Sequence, residues 1–277
     1  MPLEVPRENW RDASLSVEGT PVHYYQTGER QKPPLILLHG LMDNGACWGR
    51  VARDFARDYD IVMVDMRYHG RSGGFSGGFS YDVLANDVVS VMRALGLGPA
   101  YLFGHSIGGL NTLIIAANFP ELVRAIVLED PFLPGGSVSS VATEEGNQQA
   151  LQSILAFKTL SEAERLVQAR QLNPGWDDEE LPPWVESKIE LDIALFANME
   201  GALVYPWREA LARIVCPQLL ITADPQRYAI VTPALVEEIQ QIWKDGEVLH
   251  IPDAGHCIHR DRYPETISRV RAFLESH

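Results

Sequence analysis

Short apolar runs alternate with amphipathic segments along most of the chain. Continuous apolar runs at 34–40, 60–67, 100–106 and 123–131 are typical of strands that are buried on both faces of a parallel sheet. The segments 47–59, 81–96 and 107–120 between them carry apolar residues at helical spacing. This alternation predicts an α/β fold, a mostly parallel sheet with helices on both faces.

The two ends of the chain extend the same pattern. Residues 14–28 alternate apolar and polar positions around a Gly-Thr-Pro turn, which predicts a β-hairpin. Near the C-terminus, apolar runs at 217–224 and 247–254 predict two more strands, each followed by a helical pattern at 232–244 and 263–277.

The segment 132–205 interrupts the alternation. It carries several helix-like stretches and no convincing buried strand. Its length of about 70 residues far exceeds that of an ordinary connection. We therefore expect a helical cap at 132–205, inserted into a core of residues 1–131 and 206–277; the alternative is a single core with long connections.

Composition and charge restrict the classes of function. Of the 277 residues, 46% are hydrophobic and 22% charged, as in a globular protein, and the formal charge of −14 argues against nucleic acid or an anionic membrane as a partner. The three cysteines are too scattered for a disulfide framework or a zinc site. The first residues lack the pattern of a signal peptide, and no apolar run reaches membrane-spanning length. We expect a cytoplasmic setting, and the oligomeric state is left open, a homodimer included.

A serine between glycines lies where a predicted buried strand meets a helix. Gly104-His105-Ser106-Ile107-Gly108 fits Gly-x-Ser-x-Gly, and a strand-to-helix turn is the context that a nucleophile elbow requires. The alternative is a helix N-cap serine followed by a glycine packing contact. A serine hydroxyl needs a base before it can act as a nucleophile near neutral pH.

His256 is the best placed of the eight histidines to be that base. It follows the last predicted strand and precedes the last helix, in the chain order Ser, Asp, His. His259 is nearby, and we expect it at the surface. Leu41, at the end of the strand "LLHG", and Ile107 could supply two N–H groups to an oxyanion.

Together, the segments "LLHG", "VDMRYHGRSG", "GHSIGG", "LLITAD" and "PDAGHCIHRDRYPE" resemble the α/β-hydrolase superfamily, in its cap-bearing branch of esterases, lactonases and carbon–carbon bond hydrolases. The resemblance covers about residues 20–277. It implies that Ser106 is the nucleophile, His256 the base, and Leu41 and Ile107 the oxyanion donors of a catalytic triad enzyme without cofactor or metal. The serine disfavours the dehalogenases and epoxide hydrolases of the superfamily, which use aspartate there.

Two carboxylates compete for the third place of the triad. Asp224 ends "PQLLITAD", where the superfamily usually has its acid, and Asp130 ends "AIVLED". The segment "TADPQRYAIVTP" departs from the usual Gly-x-x-Asp pattern. We expect Asp224 to orient His256, with Asp130 as the runner-up acid.

The predicted cap contains aromatic and basic residues close to the expected site. Trp184 and Trp176 are candidates for substrate binding, or else form the core of the cap itself. Lys188, Arg165 and Arg170 could bind an acidic substrate, but we expect them on a solvated face.

The resulting hypothesis is a serine hydrolase (carboxylesterase or lactonase type) that cleaves a small, largely uncharged ester or lactone through an acyl-enzyme. Two alternatives remain open. One is a carbon–carbon bond hydrolase with the same triad, and the other is a non-catalytic ligand-binding protein on a hydrolase scaffold.

Overall fold

A computed structural model describes residues 10–28, 31–74, 79–137, 143–199 and 204–277. Eight strands form one sheet: β1 (Arg11–Val17), β2 (Thr20–Gln26), β3 (Pro34–Leu38), β4 (Asp60–Val64), β5 (Ala100–His105), β6 (Val123–Glu129), β7 (Gln218–Thr222) and β8 (Gly246–His250). Their order is β1-β2-β4-β3-β5-β6-β7-β8. β2 pairs antiparallel with both β1 and β4, and all other pairs are parallel. The predicted fold class is confirmed.

Eleven α-helices are found in the described ranges. They are α1 (Gly49–Phe55), α2 (Tyr81–Ala94), α3 (Ile107–Asn118), α4 (Glu144–Thr159), α5 (Glu162–Leu172), α6 (Leu181–Glu190), α7 (Ala194–Asn198), α8 (Trp207–Arg213), α9 (Pro233–Ile242), α10 (Ile258–Asp261) and α11 (Tyr263–Ser276). Within those ranges, no helix is long and apolar enough to cross a membrane.

Alternate residues of the central strands face two separate cores. Ile36 and Leu38 of β3 pack on one side with α2, α3 and α9, while Leu35 and Leu37 pack on the other with α1 and α11. All four side chains are fully buried. This two-sided burial explains why the strand is apolar at every position rather than at every second one.

The hairpin and the last strand differ in detail from the sequence prediction. β1 and β2 turn at Glu18 and Gly19, both with positive φ, rather than at Gly-Thr-Pro. β8 ends at His250 instead of Ala254. Such shifts arise because turn residues and strand ends do not carry the alternating pattern themselves.

The segment between β6 and β7 holds α4–α7, followed by α8. Over the part of 132–205 that the structure describes, the elements are helical and none is a strand. We call residues 143–199 the cap. Its helices pack against one another, and α6 also contacts the short 3-10 helix Gly45–Trp48 of the core.

The strand order has a topological switch point between β3 and β5. The strand after β3 in the chain, β4, lies on one side of β3, and the next strand, β5, lies on its other side. In open α/β sheets, ligands bind at the carboxyl ends of strands at such a point. Gly40 follows β3, and Ser106 follows β5.

Candidate active site

Ser106 occupies a strained turn between β5 and α3. Its φ of 55° and ψ of −117° lie in a region that residues with a side chain rarely adopt. The backbone N–H of Ser106 donates to the Glu129 carbonyl at 3.0 Å, which ties the turn to the end of β6. The serine is therefore held at the carboxyl edge of the sheet, at the start of a helix whose first N–H groups lack helical acceptors.

Two glycines allow this turn to be so tight. A Cβ at Gly104 would lie 2.2 Å from the Gly108 carbonyl oxygen, and a Cβ at Gly108 would lie 2.2 Å from the Leu38 carbonyl oxygen. Neither position has room for a side chain, because the opposing atoms are backbone. The glycines thus bring α3 into direct contact with β5 and with the end of β3.

The loop after β3 forms a turn beside Ser106. Asp43 donates its N–H to the Gly40 carbonyl at 3.2 Å, and Met42 has a φ of 66°, as the third residue of a type II turn requires. A Cβ at Gly40 would lie 3.4 Å from that of Ser106. In such a turn the N–H of the second residue, here Leu41, takes no part in the turn's own hydrogen bond.

Two buried histidines join this loop to the loop after β4 in a reciprocal way. His39 Nε2 accepts from the Met66 N–H at 3.0 Å, and His69 Nε2 accepts from the Met42 N–H at 3.1 Å. Each ring donates through Nδ1 to a carbonyl of its own loop, Gly40 for His39 and Arg67 for His69. Both rings must then be neutral, since a protonated Nε2 would face another donor.

Burial favours the same neutral state. It lowers the pKa of His39 below its ordinary value, and it lowers that of His69 to about 3, with the neighbouring His39 as the second cause. The sequence did not point to either ring as part of the site. Two signals were present: each ring lies in a loop that follows a buried strand, and each belongs to a segment that carries the resemblance, "LLHG" or "VDMRYHGRSG".

His256 binds the carboxylate of Asp130, not that of Asp224. The distance from His256 Nδ1 to Asp130 Oδ2 is 2.6 Å. Asp130 is fully buried and also accepts from the N–H groups of Ile230 and Val231, both at 2.9 Å. These three donors fix the carboxylate, and the carboxylate in turn fixes the ring.

The expectation that Asp224 contacts His256 is wrong. Asp224 Oδ1 lies 3.1 Å from His250 Nε2, and Oδ2 accepts from the Asp253 N–H at 2.9 Å. Its carboxylate is thus bound by the end of β8 and the turn that follows. Asp130 reaches the histidine because the chain turns sharply at that residue, with a φ of 38°.

His105 contacts both the backbone and the ring of His256. Its Nε2 donates to the His256 carbonyl at 2.8 Å, and the two ring centroids are 4.6 Å apart. Burial, followed by the charge of His256, lowers the pKa of His105 to about 3. Within the described ranges, no hydrogen bond joins Ser106 to His256; such bonds often tighten only when substrate binds.

His259 is buried, contrary to the expectation of a surface position. Its Nδ1 lies 2.8 Å from Glu129 Oε2, and its backbone N–H donates to Glu129 Oε1 at 2.9 Å. Burial alone would raise the pKa of Glu129, but the charge and hydrogen bonds of His259 outweigh it and hold that pKa at about 2. The adjacent residues Glu129 and Asp130 thus each hold one histidine of the segment 256–259.

Lys188 is also buried, although we expected it on a solvated face. Its Nζ lies 2.8 Å from Asp43 Oδ1, and Arg260 Nη2 lies 2.9 Å from Asp43 Oδ2. Burial alone would raise the pKa of Asp43, but Arg260 and Lys188 together hold it well below its usual range. The sequence gives no sign of this group, because its three residues are far apart along the chain.

Trp176 and Trp184 lie in the apolar cluster of the cap. Their ring centroids are 6.3 Å apart, and Trp184 also packs on Phe157. Trp176 donates from Nε1 to Asp261 at 2.8 Å. Contact of either tryptophan with a substrate stays a prediction.

Two cysteines near the site are also candidate nucleophiles, and the surrounding residues are candidate metal ligands. Burial raises the pKa of Cys47 to about 12 and raises that of Cys257 as well, so both thiols are held protonated. Over the described ranges, no group of three His, Cys, Asp or Glu residues is arranged to hold a metal ion. The histidine–carboxylate pair of His256 and Asp130 contacts His105, the residue directly before the serine, through the His105 ring.

Comparison with known proteins gives matches over most of the chain. The sn-1-specific diacylglycerol lipase ABHD11 of Mus musculus is 26% identical over 268 residues, covering 89% of this chain and 82% of that protein. The (E)-2-((N-methylformamido)methylene)succinate hydrolase of Acinetobacter baylyi is 24% identical over 265 residues, covering 92% and 94%. The crystal structure of the enol-lactonase from Burkholderia xenovorans LB400 superposes with a TM-score of 0.76 at 22% identity, covering 95% of this chain and 100% of that one.

The family model of the alpha/beta hydrolase fold matches residues 33–263. That range runs from the start of β3 to the start of α11 and contains every residue of the site described above. The sheet order and the turn at Ser106 agree with the match. The chain therefore belongs to the alpha/beta hydrolase family.

Proposed function

We propose that the protein is a serine hydrolase that cleaves a carboxylic ester or lactone of a small, largely uncharged substrate through an acyl-enzyme. The observation that carries the proposal is the 2.6 Å contact between His256 Nδ1 and Asp130 Oδ2, together with the strained turn of Ser106. A buried carboxylate on Nδ1 leaves Nε2 of the ring as the proton acceptor.

The reaction follows from these positions. Ser106 Oγ attacks the carbonyl carbon while His256 Nε2 takes its proton, and Asp130 stabilises the imidazolium that forms. The N–H groups of Leu41 and Ile107 bind the oxyanion of the tetrahedral intermediate. The intermediate collapses when His256 returns the proton to the leaving alcohol oxygen, and water then hydrolyses the acyl-enzyme by the same steps.

An uncharged substrate is favoured because the basic cap residues already have partners. Lys188 is paired with Asp43, while Arg165 donates to the carbonyls of Phe157 and Lys158. Arg170 donates to the Trp176 carbonyl and also bonds Asp178. Lys188 and Arg170 thus already have carboxylate partners within the protein, and Arg165 is directed at backbone carbonyls.

Ser106→Ala tests the proposal. We expect the variant to lose hydrolysis of short p-nitrophenyl esters by at least about 10³-fold, with its thermal unfolding unchanged, since only an oxygen is removed. A fluorophosphonate should label the parent protein at Ser106. p-Nitrophenyl butyrate should be preferred over p-nitrophenyl hemisuccinate, which has a similar length and a terminal carboxylate.

Each alternative gives a different result. Labelling at another residue, or turnover by Ser106→Ala, would reject the nucleophile. A protein that binds esters but neither turns them over nor reacts with the phosphonate is a ligand-binding protein. Cleavage of a β-diketone type substrate in preference to all esters and lactones would favour the carbon–carbon bond hydrolase.

A further inference from the structure

Met42, the residue after Leu41, is held at both of its backbone polar groups. Its N–H donates to His69 Nε2 at 3.1 Å, and its carbonyl accepts from Lys188 Nζ at 2.8 Å. His69 belongs to the core, whereas Lys188 belongs to α6 of the cap. The two peptide groups that flank Met42, whose φ is 66°, are thus held by two different parts of the chain, the loop of His69 and α6.

Asp43 connects Lys188 to the segment that follows the loop of His256. Its carboxylate binds Lys188 through Oδ1 and Arg260 through Oδ2, and Arg260 lies in α10, directly after that loop. All three side chains are less than 10% exposed. A buried ion pair is sensitive to geometry, because each charge depends on its partner for solvation.

Lys188 has no N–H left for a ligand. An ammonium group has three donors, and the recorded acceptors are the Met42 carbonyl, Asp43 Oδ1 and Ser187 Oγ. The ammonium also lies 4.5 Å from the ring centroid of Trp184. Its position is that of a structural tie between cap and core, directed at the turn that carries the Leu41 N–H.

We propose that Lys188 of the cap is a positioning residue for the oxyanion hole, aligning the Leu41 N–H by holding the Met42 carbonyl and the Asp43 carboxylate. The inference rests on the proposed function. The cap then takes part in the chemical step through the backbone of residues 40–43. Loss of this tie should weaken binding of the oxyanion more than binding of the ester.

Lys188→Met tests the proposal, because it keeps the length and apolar stem of the side chain and removes the donors. We expect kcat for p-nitrophenyl butyrate to fall about 10- to 100-fold with little change in KM. The decisive measurement is the ratio of kcat/KM for this ester to that for its thionoester. Sulfur accepts hydrogen bonds weakly, so the thionoester gains little from the Leu41 N–H. A misaligned N–H therefore slows the ester more than the thionoester and should lower the ratio by about 10-fold.

Lys158→Met is the matched control. Lys158 also lies in the cap and also donates to backbone carbonyls, those of Ile189 and Leu191, both at 2.7 Å, but neither belongs to residues 40–43. We expect this variant to keep the ester-to-thionoester ratio of the parent protein. Equal losses on both substrates in Lys188→Met, or a ratio that falls as far in Lys158→Met, would overturn the proposal.

Thermal unfolding identifies a variant that does not fold. In that case Lys188→Arg gives the same comparison, because it keeps a charge for Asp43 while its larger, planar guanidinium does not reproduce the ammonium's hydrogen bonds to Asp43 and the Met42 carbonyl together. Phosphonate labelling of the parent protein at Ser106 tests the proposed function separately from the role of Lys188. If the parent protein is neither labelled nor active, the proposed function fails; if it is active and the ratio stays constant, only the role of Lys188 fails.

Discussion

At the scale of single residues, the two competing carboxylates differ in the number and kind of their donors. Asp130 is fully buried and accepts from two backbone N–H groups as well as from His256. Asp224 is partly exposed and binds His250 and the Asp253 N–H. The carboxylate held by buried donors is the one that can keep a histidine ring in one tautomer.

We predict that Asp130→Asn lowers kcat far more than Asp224→Asn does. In the protease triad, an amide in place of the acid costs about 10⁴-fold in kcat, because the histidine is held in the wrong tautomer. Asp130→Asn should approach that loss, while Asp224→Asn should change kcat by less than about 3-fold. The measurement is kcat on a short p-nitrophenyl ester.

Asp224→Asn is also the control for general damage at this edge of the sheet. Both variants should be compared by thermal unfolding before their rates are interpreted. A larger loss in Asp224→Asn would show that the contact of Asp130 with His256 is not the one used in catalysis.

The sequence locates some site residues better than others for a physical reason. Ser106 and His256 can be found because each lies in a local pattern, a glycine-flanked turn or a loop between a strand and a helix. The acid cannot be chosen in this way, since Asp130 and Asp224 both follow buried strands and only the direction of each side chain separates them. The group of Asp43, Lys188 and Arg260 is invisible, because its contacts join three distant segments.

At the scale of elements, the site depends on the close approach of α3 to β3. Gly108, in the first turn of α3, touches the backbone of Leu38 and His39 at the end of β3. That contact sets the distance between the first turn of α3, which contains Ile107, and the end of β3, which leads into the loop of Leu41. Sequence periodicity predicts both α3 and β3 but not the distance between them. That distance depends on the absence of a Cβ at Gly108.

We predict that Gly108→Ala destabilises the protein by at least about 3 kcal/mol, the upper range for overpacking, because the new Cβ meets backbone oxygens at 2.2 Å and 2.6 Å. The measurement is the free energy of unfolding in urea. Gly175→Ala is the matched control, since a Cβ there meets nothing within 4 Å. Equal stability of the two variants would mean that α3 can move away from β3 at little cost.

Most elements of the sheet follow from the apolar pattern, because burial on both faces leaves a strand no polar position. The helices of residues 143–199 are recognisable from the sequence, because no strand pattern occurs between β6 and β7. The contact of the cap with the core is not predictable in the same way. α6 is held by ion pairs and hydrogen bonds, such as that of Lys188 with Asp43 and that of Asn44 with Glu190, which carry no periodic signal.

At the scale of the whole molecule, three buried neutral histidines couple folding to pH. Burial lowers the pKa of His69 and His105 from 6.5 to about 3, and it lowers that of His39 as well. In the unfolded chain these rings regain an ordinary pKa near 6.5. Below about that pH, the unfolded chain therefore binds more protons than the folded protein, and the free energy of unfolding falls as the pH falls.

Buried carboxyl groups act in both directions in the acid range. The lowered pKa values of Asp43 and Glu129 stabilise the fold above their ordinary range, and this stabilisation is lost as the pH falls further. Burial raises the pKa of Glu190 and Asp87, so protonation of these two groups opposes the loss. The histidines begin to act near pH 6.5, above the range in which the lowered pKa values of Asp43 and Glu129 affect stability.

We predict that the free energy of unfolding falls by about 2 kcal/mol for each of His69 and His105 between about pH 7 and about pH 5, and that His39 adds to this fall. His69→Gln removes one titrating ring, and its amide can still accept from the Met42 N–H. The variant should therefore lose about 2 kcal/mol less than the parent protein over the same interval. Above about pH 8, where an ordinary imidazole is neutral in both states, the two proteins should show the same dependence on pH. Parallel curves across the acid interval would mean that His69 takes up its proton in the folded protein, and that the link between His69 and Met42 does not require a neutral ring.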